Sequence, residues 1–245
     1  IENASRGYID IQNGIIGITC GTDAIEARTD ITITGGQFTI TSGGGKSGTV
    51  GSGISAKGIK GLVNVTITTG NFVVNSADDC VHSNKTVTIY GGTFTLSSGD
   101  DAVHADNVLV INGGTYDILT CYEGIESSDI TINDGIMHIS SSDDGINGAG
   151  GNDGSGFQPG PGVGGPGAFV PGNRHFYING GYIVVTSGTG DGIDVNGPIS
   201  MTAGYVIING PTTVMNTAID WEGSFTMTGG FILGVGTPGT GIAQA

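Results

Sequence analysis

Apolar and polar positions alternate along this chain of 245 residues in a repeat of about 22 residues. In each repeat a run such as Val87-Thr88-Ile89 is followed by a glycine turn and a second alternating run such as Thr93-Phe94-Thr95-Leu96. Alternation with a period of two is typical of a β-strand buried on one face. The repeat is too short for a strand-helix-strand unit, so it predicts a coil of short strands.

Each repeat also contains a four-residue phrase, which in most copies is an acidic residue, a very small residue, a branched aliphatic residue and a polar residue. The copies are Asp23-Ala24-Ile25-Glu26, Lys57-Gly58-Ile59-Lys60, Asp79-Cys80-Val81-His82, Asp101-Ala102-Val103-His104, Glu123-Gly124-Ile125-Glu126, Asp144-Gly145-Ile146-Asn147, Asp191-Gly192-Ile193-Asp194 and Thr217-Ala218-Ile219-Asp220. A fixed period with insertions at set places is the signature of a solenoid. The sequence therefore predicts an all-β fold, a right-handed parallel β-helix of about eight rungs.

Residues 1–245 are interpreted as a single β-helix domain with two insertions, at residues 43–53 and 148–172. Both are rich in glycine, and the second is also rich in proline. Insertions in solenoids emerge as loops and often shape a binding face.

Stacking of the rungs converts positions in the repeat into columns. An apolar column lies two residues after the turn glycine and comprises Phe38, Phe72, Phe94, Tyr116, Met137, Ile183, Val206 and Ile232. We expect this column and the aliphatic residue of the phrase to point inward. Because neighbours on a strand face opposite ways, the fourth residue of the phrase is expected to point outward.

The charge balance restricts the possible partners. The chain has 22 acidic residues against 7 Lys and Arg, a net charge of −15. This charge argues against nucleic acid and anionic membranes as partners, and no apolar run is long enough to span a bilayer. Cations and neutral polymers are better candidates.

Acidic residues in the phrase and beside it are expected to stack at the rung spacing. Unit charges about 4.8 Å apart repel by about 3.5 kcal/mol at an effective dielectric constant of 20. Oxygen ligands without a His or Cys set favour calcium as the neutralising ion. The candidate ligands are Asp78, Asp79, Asp100, Asp101, Glu123, Glu126, Asp143, Asp144 and Asp191. Raised pKa values or simple solvation at turns are the alternatives.

The second copy of the phrase reverses the sign of the charge, with Lys57 and Lys60 at the positions that acids occupy elsewhere. These lysines either balance the neighbouring carboxylates or contact an anionic ligand. His82 and His104 are adjacent in the fourth-position column and are interpreted as surface hydrogen-bonding groups. All four residues are candidate ligand contacts, and Tyr122 and Trp221 are candidate sugar platforms.

The Asp-Asp-Ala-Val-His and Asp-Gly-Ile-Asp phrases, the segment Ala56-Lys57-Gly58-Ile59-Lys60 and the Gly-Asn-Asp-Gly-Ser-Gly insertion resemble a family of bacterial carbohydrate-binding β-helix proteins. Members occur on the surface of cellulose-degrading anaerobes and are similar in fold to polysaccharide lyases. The resemblance implies bound calcium, attachment to cellulose and to acidic sugars such as polygalacturonate, and an extracellular, cell-surface location.

Three functional classes remain open on the sequence. The favoured one is a non-catalytic, monomeric module that binds extracellular plant-wall polysaccharide. The first alternative is a calcium-dependent pectate or polysaccharide lyase that uses Lys57 or Lys60 as the base. The second alternative is a structural adhesin without a sugar ligand.

Overall fold

The computed structural model describes residues 7–148, 174–213 and 215–237, and within these ranges the chain consists of strands and turns. No helix there is long and apolar enough to cross a membrane. In chain order the strands are β1 (Ile9–Ile11), β2 (Ile15–Cys20), β3 (Ile25–Ala27), β4 (Asp30–Ile33), β5 (Gln37–Ser42), β6 (Ile59–Gly61), β7 (Asn64–Ile67), β8 (Asn71–Ser76), β9 (Val81–Ser83), β10 (Thr86–Ile89), β11 (Thr93–Ser98), β12 (Val103–Ile111), β13 (Thr115–Cys121), β14 (Ile125–Ile132), β15 (Ile136–Ser141), β16 (Ile146–Asn147), β17 (His175–Ile178), β18 (Tyr182–Ser187), β19 (Ile193–Val195), β20 (Ile199–Met201), β21 (Tyr205–Asn209), β22 (Ile219–Trp221), β23 (Phe225–Met227) and β24 (Phe231–Val235).

The strands stack in parallel and give the coil three faces. The first face contains the phrase and is formed by β3, β6, β9, the first parts of β12 and β14, and β16, β19 and β22. The second face is formed by β1, β4, β7, β10, the last parts of β12 and β14, and β17, β20 and β23. The third face is a separate nine-stranded sheet of β2, β5, β8, β11, β13, β15, β18, β21 and β24.

The predicted parallel β-helix is therefore confirmed, with about nine turns where the sequence predicted about eight. The additional turn is supplied by β1 and β2, which precede the first copy of the phrase. Strands of this turn alternate in the same way as the others but have no phrase before them, so counting phrases missed it.

Both predicted inward columns form the core. Phe38, Phe72, Phe94 and Tyr116 are buried and stack face to face, with ring centroids 4.6 to 4.7 Å apart. Met137, Ile183 and Val206 continue the column in buried positions, and Ile232 is partly buried in the last turn. The aliphatic residues of the phrase, from Ile25 to Ile219, are also buried.

Turn glycines set the corner before the third face. Gly70 and Gly92 have φ angles of 145° and 124°, a region that residues with a Cβ rarely adopt. The first insertion also contains glycines with positive φ, among them Gly43 and Gly53. The second insertion lies, apart from Gly148, outside the described residues.

Candidate functional site

The register of the first face stacks the phrases directly on one another. Ile25 pairs with Ile59, Ile59 with Val81, and the series continues without a shift to Ile219. The first residues of the phrases therefore form one column and the fourth residues another. Together these two columns bring most of the predicted site residues into a single line along the coil.

Carboxylates of the first-position column hold the next rung in place. Asp23 Oδ1 accepts a hydrogen bond from the backbone N–H of Lys57 at 2.8 Å, and Asp79 Oδ1 accepts one from Asp101 N at 3.0 Å. Asp144 accepts one from Asp191 N, and Asp191 accepts one from the N–H of Thr217. An acid at this position therefore satisfies a backbone donor of the following turn, a structural role that the sequence analysis did not foresee.

Lys57 lies in the interior of this column. It is fully buried, and its Nζ lies 2.7 Å from Asp78 Oδ1 and 2.5 Å from Asp79 Oδ2. Burial alone would lower the pKa of Lys57, but the charges of Asp79 and Asp78 outweigh it and raise this pKa above its usual value. In the same way Lys57 and His82 overcome the effect of burial and lower the pKa of Asp79. Lys57 is therefore a buried ammonium ion that balances two carboxylates.

The fourth-position column corrects the expectation that it faces outward. Lys60, His82, His104 and Asn147 are all buried, with exposed fractions of 9, 1, 0 and 6%. Burial is possible because each of these polar side chains has a partner in the same or the preceding rung, such as Asp79 for His82 and Glu123 for Asn147. Only near the ends of the column are the residues open, as at Glu26 and Asp220.

The lysine and both histidines of this column each contact a carboxylate. Lys60 Nζ lies 3.1 Å from Asp23 Oδ2, and His82 Nδ1 lies 2.7 Å from Asp79 Oδ2. The two imidazole rings stack on each other with centroids 4.9 Å apart. His82 and His104 are thus buried side chains in contact with carboxylates rather than surface hydrogen-bonding groups.

His104 lies among three carboxylates. Its Nδ1 lies 2.9 Å from both Asp101 Oδ2 and Glu126 Oε2, and its Nε2 lies 3.3 Å from Asp106 Oδ1. Burial would lower the pKa of His104, but these contacts raise it well above its usual value, which indicates an imidazolium ion. We call Lys57, Lys60, His82 and His104, together with the acids that they contact, the cation-paired stretch: Asp23, Glu26, Asp78, Asp79, Asp101, Asp106 and Glu126.

Further along the column the acids have no such partner. Within the described ranges no Lys, Arg or His side chain forms an ion pair with these residues, which we call the acid-only stretch: Glu123, Asp143, Asp144, Asp191, Asp194 and Asp220. Glu123 Oε2 instead accepts a hydrogen bond of 2.7 Å from Asn147. The stretch thus combines several carboxylates with only neutral donors.

The electrostatic result is a set of raised acid pKa values. Burial, together with the carboxylates of Asp194 and Asp143, raises the pKa of Asp144 to about 8. Burial, together with Asp191 and Asp220, raises the pKa of Asp194 to about 7. Burial and Glu126 also raise the pKa of Glu123. Both burial and neighbouring like charges oppose ionisation of these carboxyl groups. A bound cation would offset this cost and favour the ionised carboxylates.

Among the residues that the structure describes, four groups of side chains bring potential metal ligands within 4.8 Å of one another. Two contain histidines that are already paired with acids, and the group of Asp78, Asp79 and Asp100 includes both partners of Lys57. The fourth group, Asp191, Asp194 and Asp220, offers oxygen ligands and contains no cationic partner. Oxygen ligands of this kind suit a hard cation such as calcium.

Sequence reasoning named Asp191 but missed Asp194 and Asp220 as its neighbours. A signal was present, because the fourth residue of the phrase is Asp in the last two copies. Among the acids at the fourth position, the sequence analysis included only Glu126 as a metal ligand.

The two predicted aromatic platforms lie at different places. Tyr122 is 39% exposed, and a hydrogen bond to Asp143 raises its pKa, so it borders the acid-only stretch. Trp221 is partly buried in the last turn, where its ring packs against Phe225 at a centroid distance of 5.5 Å. Tyr122 is therefore available to a ligand, whereas Trp221 mainly covers the core.

The second face has an open groove near the N-terminal end of the coil. It is lined by neutral hydroxyl and amide side chains with one acid and one tyrosine, namely Tyr8, Thr29, Asp30, Thr32, Asn64, Thr66, Thr86 and Thr88. The register explains the regular lining, since Thr32, Thr66 and Thr88 are direct neighbours in successive strands. Tyr8 is 65% exposed at the edge of this groove.

Comparison with known proteins relates the N-terminal part of the chain to sugar binding. A family model described as "Carbohydrate-binding domain-containing protein" matches residues 1–102. No curated protein and no solved structure matches the chain. The matched segment includes the whole groove of the second face and the Lys57 rung.

Proposed function

We propose that this chain is a non-catalytic module that binds extracellular polysaccharide. The observation that supports it most directly is the match of residues 1–102 to a carbohydrate-binding family. The resemblance of the repeated phrases to surface proteins of cellulose-degrading bacteria agrees with this proposal and suggests attachment to a cell surface.

The groove of the second face has the composition of a sugar site and lies within the matched segment. Its threonine hydroxyls can both donate and accept hydrogen bonds, as sugar hydroxyl groups require. Asn64 Nδ2 donates to Asp30 Oδ1 at 2.7 Å, which fixes the orientation of both polar groups. The exposed ring of Tyr8 supplies an apolar surface beside them.

Acidic polysaccharides such as polygalacturonate require a different arrangement, because a chain with a net charge of −15 repels a polyuronate. The acid-only stretch could overcome this repulsion by binding calcium. In this arrangement Asp144, Asp191 and their neighbours hold the calcium ion, which also contacts the sugar carboxylates. Tyr122, at the border of this stretch, offers a half-open ring to the same ligand.

The geometry argues against the lyase alternative. A general base must be deprotonated and within reach of the substrate. Lys57 is fully buried between two carboxylates that raise its pKa, and Lys60 is held by Asp23 and by Ser55 Oγ at 3.0 Å. Neither amine is presented to a polymer outside the coil.

Binding and cleavage are separated by one set of measurements on the purified chain. Calorimetry with polygalacturonate should show binding in calcium and little binding in chelator. The double variant Asp144→Asn and Asp191→Asn should abolish the calcium-dependent part. Asp117→Asn is the matched control, because it removes the same type of charge from an exposed position on the third face.

The same samples test the alternatives. Ultraviolet absorbance at alkaline pH monitors the release of unsaturated products from polygalacturonate. Steady release by the unmodified chain that is abolished by Lys57→Met would support a lyase and refute the proposal. Absence of binding to polygalacturonate, cellulose and soluble neutral glucans would instead favour a structural adhesin.

A further inference from the structure

The third face changes character along the coil. One outward column of this face is polar in its middle turns, where it contains Gln37, Asn71, Thr93 and Thr115. In the last four turns the same column becomes apolar and contains Ile136, Tyr182, Tyr205 and Phe231, which we call the aromatic ladder. Since the polar residues occupy the same register, the β-helix itself does not require aromatic residues there.

The aromatic ladder is open to solvent. Ile136, Tyr182, Tyr205 and Phe231 are 48, 41, 59 and 46% exposed. The parallel column beside it begins with His138 and continues with Val184, Ile207 and Leu233, of which Leu233 is 47% exposed. A contiguous apolar surface of this kind is typical of an interaction site rather than of a solvated face.

The charge of the ladder is as informative as its apolar character. The strands β15, β18, β21 and β24 contain no Asp, Glu, Lys or Arg, although the chain as a whole has a net charge of −15. A neutral partner can approach this surface without charge repulsion or desolvation of ions. A second copy of the chain would bring two strongly negative molecules together, which opposes dimerisation through this surface.

We infer that the aromatic ladder is a binding platform for a neutral, flat β-linked glucan, separate from the acidic column of the first face. This inference rests on the proposed function and assigns its neutral polymer to a site that the sequence analysis did not consider. Tyr182, Tyr205 and Phe231 recur once per turn in the same register of adjacent parallel strands, and the rings of Tyr205 and Phe231 lie 6.2 Å apart at an interplanar angle of 39°. The apolar face of a sugar ring can pack on each of them, and the tyrosine hydroxyls remain available to sugar hydroxyl groups.

A sequence signal for this site exists. Each ladder residue directly follows a turn glycine, Gly135, Gly181, Gly204 or Gly230, and directly precedes a residue of the inward column. Alternation along the strand therefore predicts an outward side chain at these positions.

The test is a sedimentation assay of the full chain with insoluble microcrystalline cellulose. The triple variant Tyr182→Thr, Tyr205→Thr and Phe231→Thr introduces the residue that occupies the same register at Thr93 and Thr115. It should bind cellulose at least tenfold more weakly and keep its calcium-dependent binding to polygalacturonate. Tyr90→Thr is the control, because Tyr90 is 56% exposed but lies outside the ladder, and it should bind cellulose as the unmodified chain does.

Cellulose binding that is unchanged in the triple variant would overturn the inference. If the triple variant does not fold, the single variant Tyr205→Thr serves instead, with an expected loss of several-fold. Sedimentation that shows a dimer lost in the variant, with cellulose binding unchanged, would assign the ladder to self-association. If the chain binds polygalacturonate but not cellulose, the inference is refuted and the proposed function stands. If the chain binds neither polymer, both the inference and the proposed function are refuted.

Discussion

The cation-paired stretch and the acid-only stretch occupy the same two columns of the same repeat, yet they balance charge in different ways. In the cation-paired stretch Lys57 and His104 are buried among carboxylates and remain charged, as their raised pKa values indicate. In the acid-only stretch Asp144 and Asp194 have raised pKa values because they face burial and one another without a cation.

This difference separates two roles that look identical in the sequence. An acid such as Asp79 is part of an internal ion network, so a metal ion at this place would have to compete with Lys57 and His82. An acid such as Asp191 offers its charge to whatever cation the solvent supplies. Three predictions test the distinction, in order of decreasing effect on the free energy of unfolding.

The largest effect is expected from Lys57→Met, which leaves Asp78 and Asp79 buried without their cation. Removal of one partner from a buried ion pair typically costs about 3–5 kcal/mol. Urea unfolding followed by circular dichroism measures the loss. Lys85→Met, at an exposed lysine, is the control and should stay within about 0.5 kcal/mol of the unmodified chain.

Additional Asp78→Asn and Asp79→Asn substitutions should recover part of the stability that Lys57→Met loses. Equal unfolding curves for Lys57→Met and Lys85→Met would show that the buried network does not stabilise the fold. The proposed difference between the cation-paired stretch and the acid-only stretch would then be wrong.

Calcium is predicted to stabilise the chain through the acid-only stretch. Preferential binding to the native state contributes about 2.7 kcal/mol at a free concentration one hundred times the dissociation constant. For a chain of this size the melting temperature should rise by roughly 5–10 °C between chelator and excess calcium. Asp191→Asn should reduce the rise, whereas Asp117→Asn should not. Superimposable melting curves in chelator and in calcium would contradict a calcium site.

A smaller effect is expected from pH in the calcium-free chain. The folded pKa values of Asp144 and Asp194, about 8 and about 7, lie above the value of about 3.9 for an unfolded chain. Between these limits the native state binds more protons than the unfolded state, so stability falls as the pH rises. Allowing for solvent screening of these partly exposed groups, we expect a loss on the order of 1–2 kcal/mol from pH 5 to pH 8.

Urea midpoints in chelator at the two pH values measure this loss. Asp144→Asn removes one titrating group and should flatten the dependence, and excess calcium should do the same by displacing the protons. Stability that rises from pH 5 to pH 8 in chelator would be inconsistent with the raised pKa values.

The β-helix could be predicted from the sequence because its register is repeated. Phe38, Phe72 and Phe94 recur at the same distance from a turn glycine, and in a stacked coil equal positions must become neighbours. The predicted count of about eight turns is close to the nine of the structure, and β1 and β2, which have no phrase, account for the difference. The candidate site was predicted as a line of residues but not as two stretches with different electrostatics.

The sequence by itself determined which residues share a column, because the period fixes the register of parallel strands. Only the tertiary structure decided which of them are buried, since burial depends on how side chains from successive turns cover one another. His82 and Asp220 occupy the same position of the phrase, yet one is enclosed by its neighbours and the other is exposed in the last turn. The enclosure of a residue determines its charge state and its access to ligands. It cannot be read from the sequence of a single rung, because it depends on the neighbouring rungs.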